Sequence, residues 1–335
     1  MKNKMFLMVA CLTLIFTVLH PMLSAAEYKD NINKTFTVRE GGSLIIKSDL
    51  GAIDVKTGKS DKVAIHIIRE IKNSGDDEAR DVLANLDISM KQRGNDVLIE
   101  TKYDRGTDSF FSLFFRRPNL SLRYEITVPE KYDMDLKTGG GSVSVADITG
   151  TVTCNTSGGK IDILNINGQV TAKTSGGSIS LEGSTGDADL HTSGGSIKIG
   201  SVEGNIEAYT SGGRIEIIRA GGNVKAHTSG GSVRIEEVNG VIDASTSGGS
   251  IDASIMKQPA SDCRLASSGG SISVNLNPQC KLSVNASTSG GGVRTDIPMT
   301  FTGEISKNKL IADMNGGGPE LYLRTSGGRI NLNKK

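Results

Sequence analysis

Three ring-bearing residues recur at equal spacing and are the first candidates for chemistry in this sequence. His191, Tyr209 and His227 each stand directly before a Thr, and the interval from the first to the second equals that from the second to the third. Imidazole is the commonest metal ligand in proteins, but if this interval makes one turn of a stacked structure, the two His side chains are roughly 9–10 Å apart. One metal ion cannot bridge that separation, because metal–nitrogen bonds are about 2 Å long. The spacing predicts an outward stripe that contacts a ligand or, as the alternative, a solvated face.

The Cys residues in the second half of the chain are candidates for a disulfide. Cys154 stands in a position that other repeats fill with Ala, which predicts a small buried thiol. Cys263 and Cys280 are separated by close to one repeat, and both fall on the inward phase of their segments. In an exported protein such a pair fits a disulfide between adjacent layers, and two buried thiols are the alternative.

An apolar segment with a basic end, FFSLFFRRP at 110–118, is a candidate contact surface. Its apolar and basic residues, which we call the Phe–Arg patch, are Phe110, Phe111, Phe114, Phe115, Arg116 and Arg117. Exposed apolar patches mark membrane or partner contacts, so the sequence predicts peripheral membrane contact or a protein partner here. The alternative is a hairpin tip that folds onto the end of the neighbouring structure.

Catalytic arrangements are not visible elsewhere in the sequence. It contains no Ser–His–Asp, HExxH or phosphate-binding loop pattern, so we predict no catalytic residues, no cofactor and no metal. A carbohydrate-active enzyme needs paired carboxylates on one face. One outward column instead mixes charges, and its members are Ser180, Lys198, Glu216, Arg234 and Asp252. The net charge of +1 gives no general attraction to nucleic acid.

An internal repeat that begins Thr-Ser-Gly-Gly must position the ring-bearing residues and the outward column. Its Thr recurs at one constant interval, at positions 138, 156, 174, 192, 210, 228 and 246. A fixed period indicates a solenoid, and the alternation of apolar residues within each repeat indicates strands. The alternation changes phase twice per repeat, which predicts two strands and two bends per coil. The predicted fold class is all-β, a single-stranded β-helix or solenoid with 18-residue coils.

The Thr-Ser-Gly-Gly segment itself predicts a structural role at the bend. The Thr falls on the inward phase, so we expect its hydroxyl to bond the turn backbone, as Ser and Thr commonly do. The Gly pair has no side chains at the corner, which permits positive φ angles there without penalty.

The chain divides into three predicted regions. Residues 1–26 have a basic start, an apolar run and a small-residue cleavage site, which predicts a secretory signal and an exported protein of the periplasm, cell surface or medium; a retained membrane anchor is the alternative. Residues 27–135 predict a β-rich domain with one helix at 75–89 that covers the first coil. Residues 136–335 predict the solenoid with irregular C-terminal coils, and 315–332 a closing hairpin or cap.

Three stretches carry a resemblance to a known family. They are LIIKSDLGAIDVKT at 44–57, LRYEITVPEKYDMDLKTGGGSVSVADITGTVTCNTSGGKIDI at 122–163 and the repeats that follow. In their order and Gly-rich coils they resemble the bacterial putative-adhesin family, a β-solenoid domain of unknown function, over nearly the whole chain after residue 26. The resemblance implies a link with the cell envelope and implies no catalytic residues. The Phe–Arg patch and the stretch 315–332 depart from the family pattern.

These observations lead to an expected function. We expect an exported, non-enzymatic, adhesin-like or cell-envelope binding protein whose repetitive polar surface binds an unknown surface polymer or an envelope protein. Two alternatives stay open, a carbohydrate-active β-helix enzyme and a structural component of envelope stress or assembly.

Overall fold

The computed structural model of this chain describes residues 27–72, 76–104 and 120–335. The predicted signal segment and the Phe–Arg patch lie outside this part of the chain, so both stay predictions. Among the described residues, helices that are long and apolar enough to cross a membrane are absent.

The described residues form a succession of short strands and one short helix. The N-terminal elements are β1 Glu27–Thr37, β2 Gly42–Ser48, β3 Ala52–Thr57, β4 Lys62–Lys72, α1 Asp76–Ala84, β5 Leu86–Arg93, β6 Asp96–Tyr103 and β7 Leu120–Val128. The strands of the regular coils are β8 Tyr132–Thr138, β9 Val143–Ala146, β10 Val152–Thr156, β11 Ile161–Leu164, β12 Val170–Thr174, β13 Ile179–Ser184, β14 Ala188–Thr192, β15 Ile197–Val202, β16 Ile206–Thr210, β17 Ile215–Ala220, β18 Val224–Thr228, β19 Val233–Val238, β20 Ile242–Thr246 and β21 Ile251–Ile255. The C-terminal strands are β22 Cys263–Ser267, β23 Ile272–Leu276, β24 Leu282–Thr288, β25 Val293–Thr295, β26 Thr300–Ser306, β27 Lys309–Met314, β28 Glu320–Thr325 and β29 Ile330–Lys334.

Two long, mainly parallel sheets enclose one continuous apolar core. Within the described residues, sheet A has 14 strands in the order β1-β4-β7-β3-β9-β11-β13-β15-β17-β19-β21-β23-β29-β25. Sheet B has 15 strands in the order β26-β27-β24-β28-β22-β20-β18-β16-β14-β12-β10-β8-β2-β6-β5. From β8 to β23 the chain alternates between the sheets, so each coil gives one strand to each. The predicted all-β solenoid is confirmed.

The constant repeat length sets the strand register, and the register builds the core. Ile197 pairs with Ile215 in sheet A, while Leu190 pairs with Ala208 in sheet B, and all four side chains are buried. Sheet A mostly supplies Ile, Val and Leu, and the central part of sheet B supplies many Ala residues. The small side chains of one sheet let the large side chains of the other approach, so the two sheets fill the core at close packing.

The Thr hydroxyls form a ladder that joins successive coils. Thr192 donates a hydrogen bond to the carbonyl oxygen of Gly177 in the preceding coil, at 2.7 Å, and accepts one from the N–H of Gly195, at 3.3 Å. The same pair of bonds recurs at Thr174. The prediction of an inward Thr that bonds the turn backbone is confirmed.

The positive φ angles that the Gly pair permits are not used at the Thr-Ser-Gly-Gly corners of the described residues. Among the described residues, positive φ occurs at other positions, for example at Gly150 and Gly168 in the opposite bend. The second Gly of the corner is needed because the coils approach closely: a Cβ on Gly195 would lie 2.1 Å from the carbonyl oxygen of Gly177.

The Thr ladder leads to a first prediction, that Thr192→Val lowers the free energy of unfolding by about 1–3 kcal/mol. Val keeps the shape of the side chain but leaves the Gly177 carbonyl and the Gly195 N–H, both partly buried, without the hydroxyl that bonds them. Urea unfolding monitored by circular dichroism measures the change.

The control is Thr192→Ser, because Ser267 fills the equivalent position naturally and makes both bonds. Ser at position 192 should be less harmful than Val, although it removes a methyl group. If Val were tolerated better than Ser, burial of the methyl group and not the hydroxyl ladder would stabilise the corner.

The N-terminal strands continue both sheets beyond the first regular coil. β2 pairs in parallel with β8, and β3 pairs with β9, so these strands cover that coil as expected. The buried hydroxyl of Tyr124 donates to Thr101 at 2.7 Å and lies 2.9 Å from Ser48 Oγ. The predicted division of the chain at residues 135 and 136 stays a prediction, and both sheets cross that point.

The predicted helix at 75–89 is too long. Helix α1 ends at Ala84, and Leu86–Arg93 forms strand β5, antiparallel to β6. Leu86, Ile88 and Met90 point inward at the period of a strand. The edge of β6 is available to pair with this segment, and that pairing favours a strand over a longer helix.

The predicted hairpin or cap at 315–332 is also corrected. The antiparallel hairpin is formed by β26 and β27, which lie at the end of sheet B. The last two strands, β28 and β29, form a further coil that lies between two coils formed by earlier parts of the chain.

Candidate functional site

A groove of about 770 Å³ runs along the outer face of sheet B, beside the Thr-Ser-Gly-Gly corners. Two columns of side chains, one residue before and one residue after each ladder position, line this sheet B groove. The first column is Lys137, Asn155, Lys173, His191, Tyr209, His227 and Ser245, and the second is Ser157, Ser175, Ser193, Ser211, Ser229 and Ser247. The sequence analysis identified the rings but missed the Ser column, although the repeat itself was the signal for it.

The three ring residues predicted as a stripe are brought together in the groove. Parallel pairing sets His191 beside Tyr209 and Tyr209 beside His227. The ring centroids of the first pair are 4.7 Å apart and those of the second pair 5.2 Å apart, and both pairs are stacked. Because Tyr209 has a ring on each side, a ligand reaches the polar edge of its ring and not its faces. The stack therefore offers ring nitrogens and a phenol hydroxyl as hydrogen-bonding groups.

Most charged groups near the rings are paired with one another. Nε2 of His191 lies 2.6 Å from Oδ1 of Asp189, and Nζ of Lys173 lies 3.3 Å from Oδ2 of the same Asp. Nδ1 of His227 contacts Oγ of Ser245. Burial lowers the pKa of His227, mainly by desolvating the imidazolium. At neutral pH the groove therefore presents a neutral His227, and its chemistry is hydrogen bonding more than net charge.

The exposed Ser side chains of the second column form a regular hydroxyl row. Their backbones are fixed by bonds between coils, for example from the N–H of Gly194 to the carbonyl oxygen of Ser175 and from Gly212 to Ser193. Successive hydroxyls are separated by one coil, about 4.8 Å. The arrangement suits a ligand with repeated polar groups that lies along the solenoid axis.

The sequence matches the family model described as Toastrack DUF4097 over residues 43–333. The chain belongs to this family. The match covers nearly all of both sheets, and the resemblance to a β-solenoid family of unknown function is confirmed. Among curated proteins, none matches the chain.

Solved structures with likeness to this Toastrack DUF4097 chain include two described as adhesins. A putative adhesin from Bacteroides fragilis NCTC 9343 has 16% sequence identity and a TM-score of 0.30, and the match covers 91% of this chain and 97% of that chain. A putative adhesin from Parabacteroides distasonis ATCC 8503 has 10% identity and a TM-score of 0.31 at the same coverage, 91% and 97%. A putative lipid binding protein from the same strain has 13% identity and a TM-score of 0.27, again covering 91% and 97%.

A second cavity of this Toastrack chain, about 620 Å³, lies on the same outer face of sheet B, at the opposite ends of its strands. The carboxylates of Asp189, Glu207 and Asp243 line it together with Lys225. The phenol of Tyr209 raises the pKa of Lys225 through a side-chain hydrogen bond. Among the described residues, no three His, Cys, Asp or Glu side chains, these carboxylates included, lie close enough together to hold one metal ion.

The sequence analysis did not predict a ladder of polar side chains beside the second cavity. Asp187 accepts from the N–H of Asn205 at 2.7 Å, Asn205 accepts from Asn223 at 2.9 Å, and Asn223 accepts from Val241 at 2.9 Å. All four residues follow a Gly of the second bend, and that shared position was the available signal. The ladder ties the coils together at this bend, as the Thr ladder does at the other.

The proposed disulfide between Cys263 and Cys280 does not form in this Toastrack fold. Cys154, Cys263 and Cys280 are all buried free thiols, and burial raises the pKa of each. Their spacing of nearly one repeat suggested adjacent coils, but β28 lies between the strand of Cys263 and strand β24, which follows Cys280. The alternative of buried thiols is therefore the correct one for this structure.

Proposed function

We propose that this protein is an exported, non-enzymatic, adhesin-like binding protein of the cell envelope, which binds a surface polymer or an envelope protein along the sheet B groove. One observation carries the proposal: the groove presents an exposed Ser hydroxyl at six successive coils, at intervals of about 4.8 Å, beside a column of varied polar side chains. A repeating surface matches a repeating ligand, because each added unit meets another set of donors and acceptors.

The chemistry of the groove favours a ligand rich in hydroxyl groups. The Ser row, the ring edges of His191 and His227 and the phenol of Tyr209 donate and accept hydrogen bonds. The cations Lys137 and Lys173 lie close to carboxylates of the same sheet, so a polyanion gains little there. Weak contacts along a polymer add up, because the first contact raises the effective concentration of the next.

The second prediction tests this groove with the triple variant His191→Ala, Tyr209→Ala and His227→Ala. Loss of three hydrogen-bonding side chains should weaken binding at least about tenfold. A glycan array and purified bacterial cell-wall polysaccharide serve as probes, with affinity measured by biolayer interferometry on the chain without residues 1–26.

The matched control is Lys198→Ala, Glu216→Ala and Arg234→Ala, three outward residues on sheet A. This control should keep the wild-type affinity, and circular dichroism checks that both variants stay folded. Equal binding by the two triple variants would rule out the groove as the binding site.

A carbohydrate-active enzyme is the second candidate, and one observation favours it. Asp189 and Glu207 are direct neighbours on β14 and β16. Their strands are about 4.8 Å apart, a backbone spacing from which two carboxyl groups can reach the roughly 5–5.5 Å separation of retaining glycosidases. Asp189 is already paired with His191, which favours the binding role. Release of sugar products by the wild type, and its loss in Asp189→Asn, would support the enzyme. Binding of neither glycans nor cell-wall polymer would leave the structural envelope component as the better description.

A further inference from the structure

The order of coils at the C-terminal end differs from the order of the chain. Strand β28 pairs in parallel with β22 on one side and with β24 on the other. In the same way, β29 lies between β23 and β25 in sheet A. The last coil of the sequence, residues 320–334, therefore fills a slot between two coils that precede it in the chain.

The contacts in this slot are those that join any two coils. Thr325 donates to the carbonyl oxygen of Gly270 at 2.7 Å, and Thr288 donates to Gly328 at 2.7 Å. Leu321 and Leu323 are fully buried. The slot thus recognises a Thr-Ser-Gly-Gly coil through backbone register, a Thr ladder and apolar burial, and these features are the same whichever copy of the chain supplies the coil.

The segment that leads into the slot is a tight hinge. Strands β27 and β28 flank β24, so residues 315–319 must turn across the start of β24. Asn315, Gly316 and Gly317 have φ angles of 52°, 87° and 79°, all in the left-handed region. Asn and Gly adopt this region more readily than other residues, so the turn forms without strain. Asn315 also donates to the carbonyl oxygen of Cys280 at 2.8 Å, and this bond breaks when the hinge opens.

We propose that the C-terminal coil is exchangeable, and that two copies of this chain, when folding at high concentration, each place residues 320–334 in the slot of the other. The occupant is a second copy because only a coil with this register and ladder satisfies both neighbours. Exchange of an identical element creates a dimer with nearly the same contacts as the monomer. The dimer would also carry two sheet B grooves.

The test uses two variants of the full chain, each with one added Cys and its own affinity tag. Ala266 and Arg324 are directly opposed on β22 and β28, and both side chains face outward. Chains with Ala266→Cys and chains with Arg324→Cys are unfolded together in denaturant and reductant, refolded at high concentration and oxidised. Exchange brings the two new thiols together in one slot, so a covalent dimer of differently tagged chains should appear on a non-reducing gel.

The control mixture joins Ser245→Cys chains with Ala266→Cys chains. These positions are opposed on β20 and β22, which are consecutive coils and do not exchange. We expect at least about tenfold more covalent dimer from the test mixture than from this control, because exchange holds the thiols at a high effective concentration.

The double variant Ala266→Cys, Arg324→Cys is refolded at low concentration, where exchange between chains is rare. A disulfide within one chain then shows that β22 and β28 of the same chain are neighbours. An internal disulfide in this variant, together with excess dimer in the test mixture, supports exchange. An internal disulfide with no more dimer than the control overturns it. Failure of the double variant to close would overturn the coil order on which the proposal depends.

Discussion

Gly159→Ala should destabilise the protein by about 3 kcal/mol or more. Gly159 is the second Gly of its corner, and a Cβ there would lie 2.0 Å from the carbonyl oxygen and 2.3 Å from the carbonyl carbon of Gly141 in the preceding coil. Both atoms belong to backbone that is tied on either side, so neither can move away like a flexible side chain. The corner must open, and the Thr156 bond to the same carbonyl, 2.8 Å long, weakens with it. Thermal and urea unfolding followed by circular dichroism measure the loss.

The neighbouring residue supplies a matched control. A Cβ on Gly158 would meet its nearest neighbour, the carbonyl oxygen of Gly140, at 3.7 Å, an ordinary van der Waals distance. Gly158→Ala should therefore change stability by less than about 1 kcal/mol. Equal losses for the two variants would mean that the Gly pair serves chain flexibility and not the close approach of coils.

Deletion of one whole coil should leave a folded protein, whereas deletion of half a coil should abolish folding. Removal of residues 193–210 joins Thr192 to Ser211, which restores the Thr-Ser-Gly-Gly corner. Strand β13 then meets β17, and β14 meets β18, so every apolar residue again stacks on its equivalent. Because a solenoid is stabilised by contacts between nearest neighbours, the melting temperature should fall by less than about 5 °C.

Removal of residues 193–201 is the contrasting deletion. It removes most of β15, so the strand destined for sheet A is missing and the Thr ladder is interrupted. The mismatch separates the two halves of the stack, and the loss should exceed the roughly 5–15 kcal/mol that stabilise an ordinary domain. Soluble yield, circular dichroism and the cooperativity of unfolding compare the two deletions. A half-coil deletion that folds as well as the whole-coil deletion would contradict the solenoid register.

These effects differ in size because of what each change does to the coil interface. Gly159→Ala damages one corner of one interface, while a half-coil deletion removes the equivalence on which all interfaces depend. A substitution on the outer face, such as those proposed for His191 and Tyr209, leaves the interface intact. Function and stability can therefore be varied separately in this fold.

Much of the candidate site could be predicted from the period. The spacing of His191, Tyr209 and His227 implied neighbours along one column, and the structure brings the rings within stacking distance. The inward phase of Thr192 implied its bond to the turn. The groove itself could not be predicted, because its shape depends on how the corner and the outer face of sheet B meet.

The sequence alone determined the coil, because a repeat of constant length makes each residue the neighbour of its equivalent and fixes which side chains point inward. Tertiary structure decided what happens where the period breaks. Leu86–Arg93 became a strand because a sheet edge was available to pair with it. The coil that holds Thr325 took the slot between the coils of Ser267 and Thr288, which separated Cys263 from Cys280. Coils with the same ladder and the same apolar face stack almost equally well on one another, so their local sequences cannot specify the order, and only the loops and the hinge of the whole chain select it.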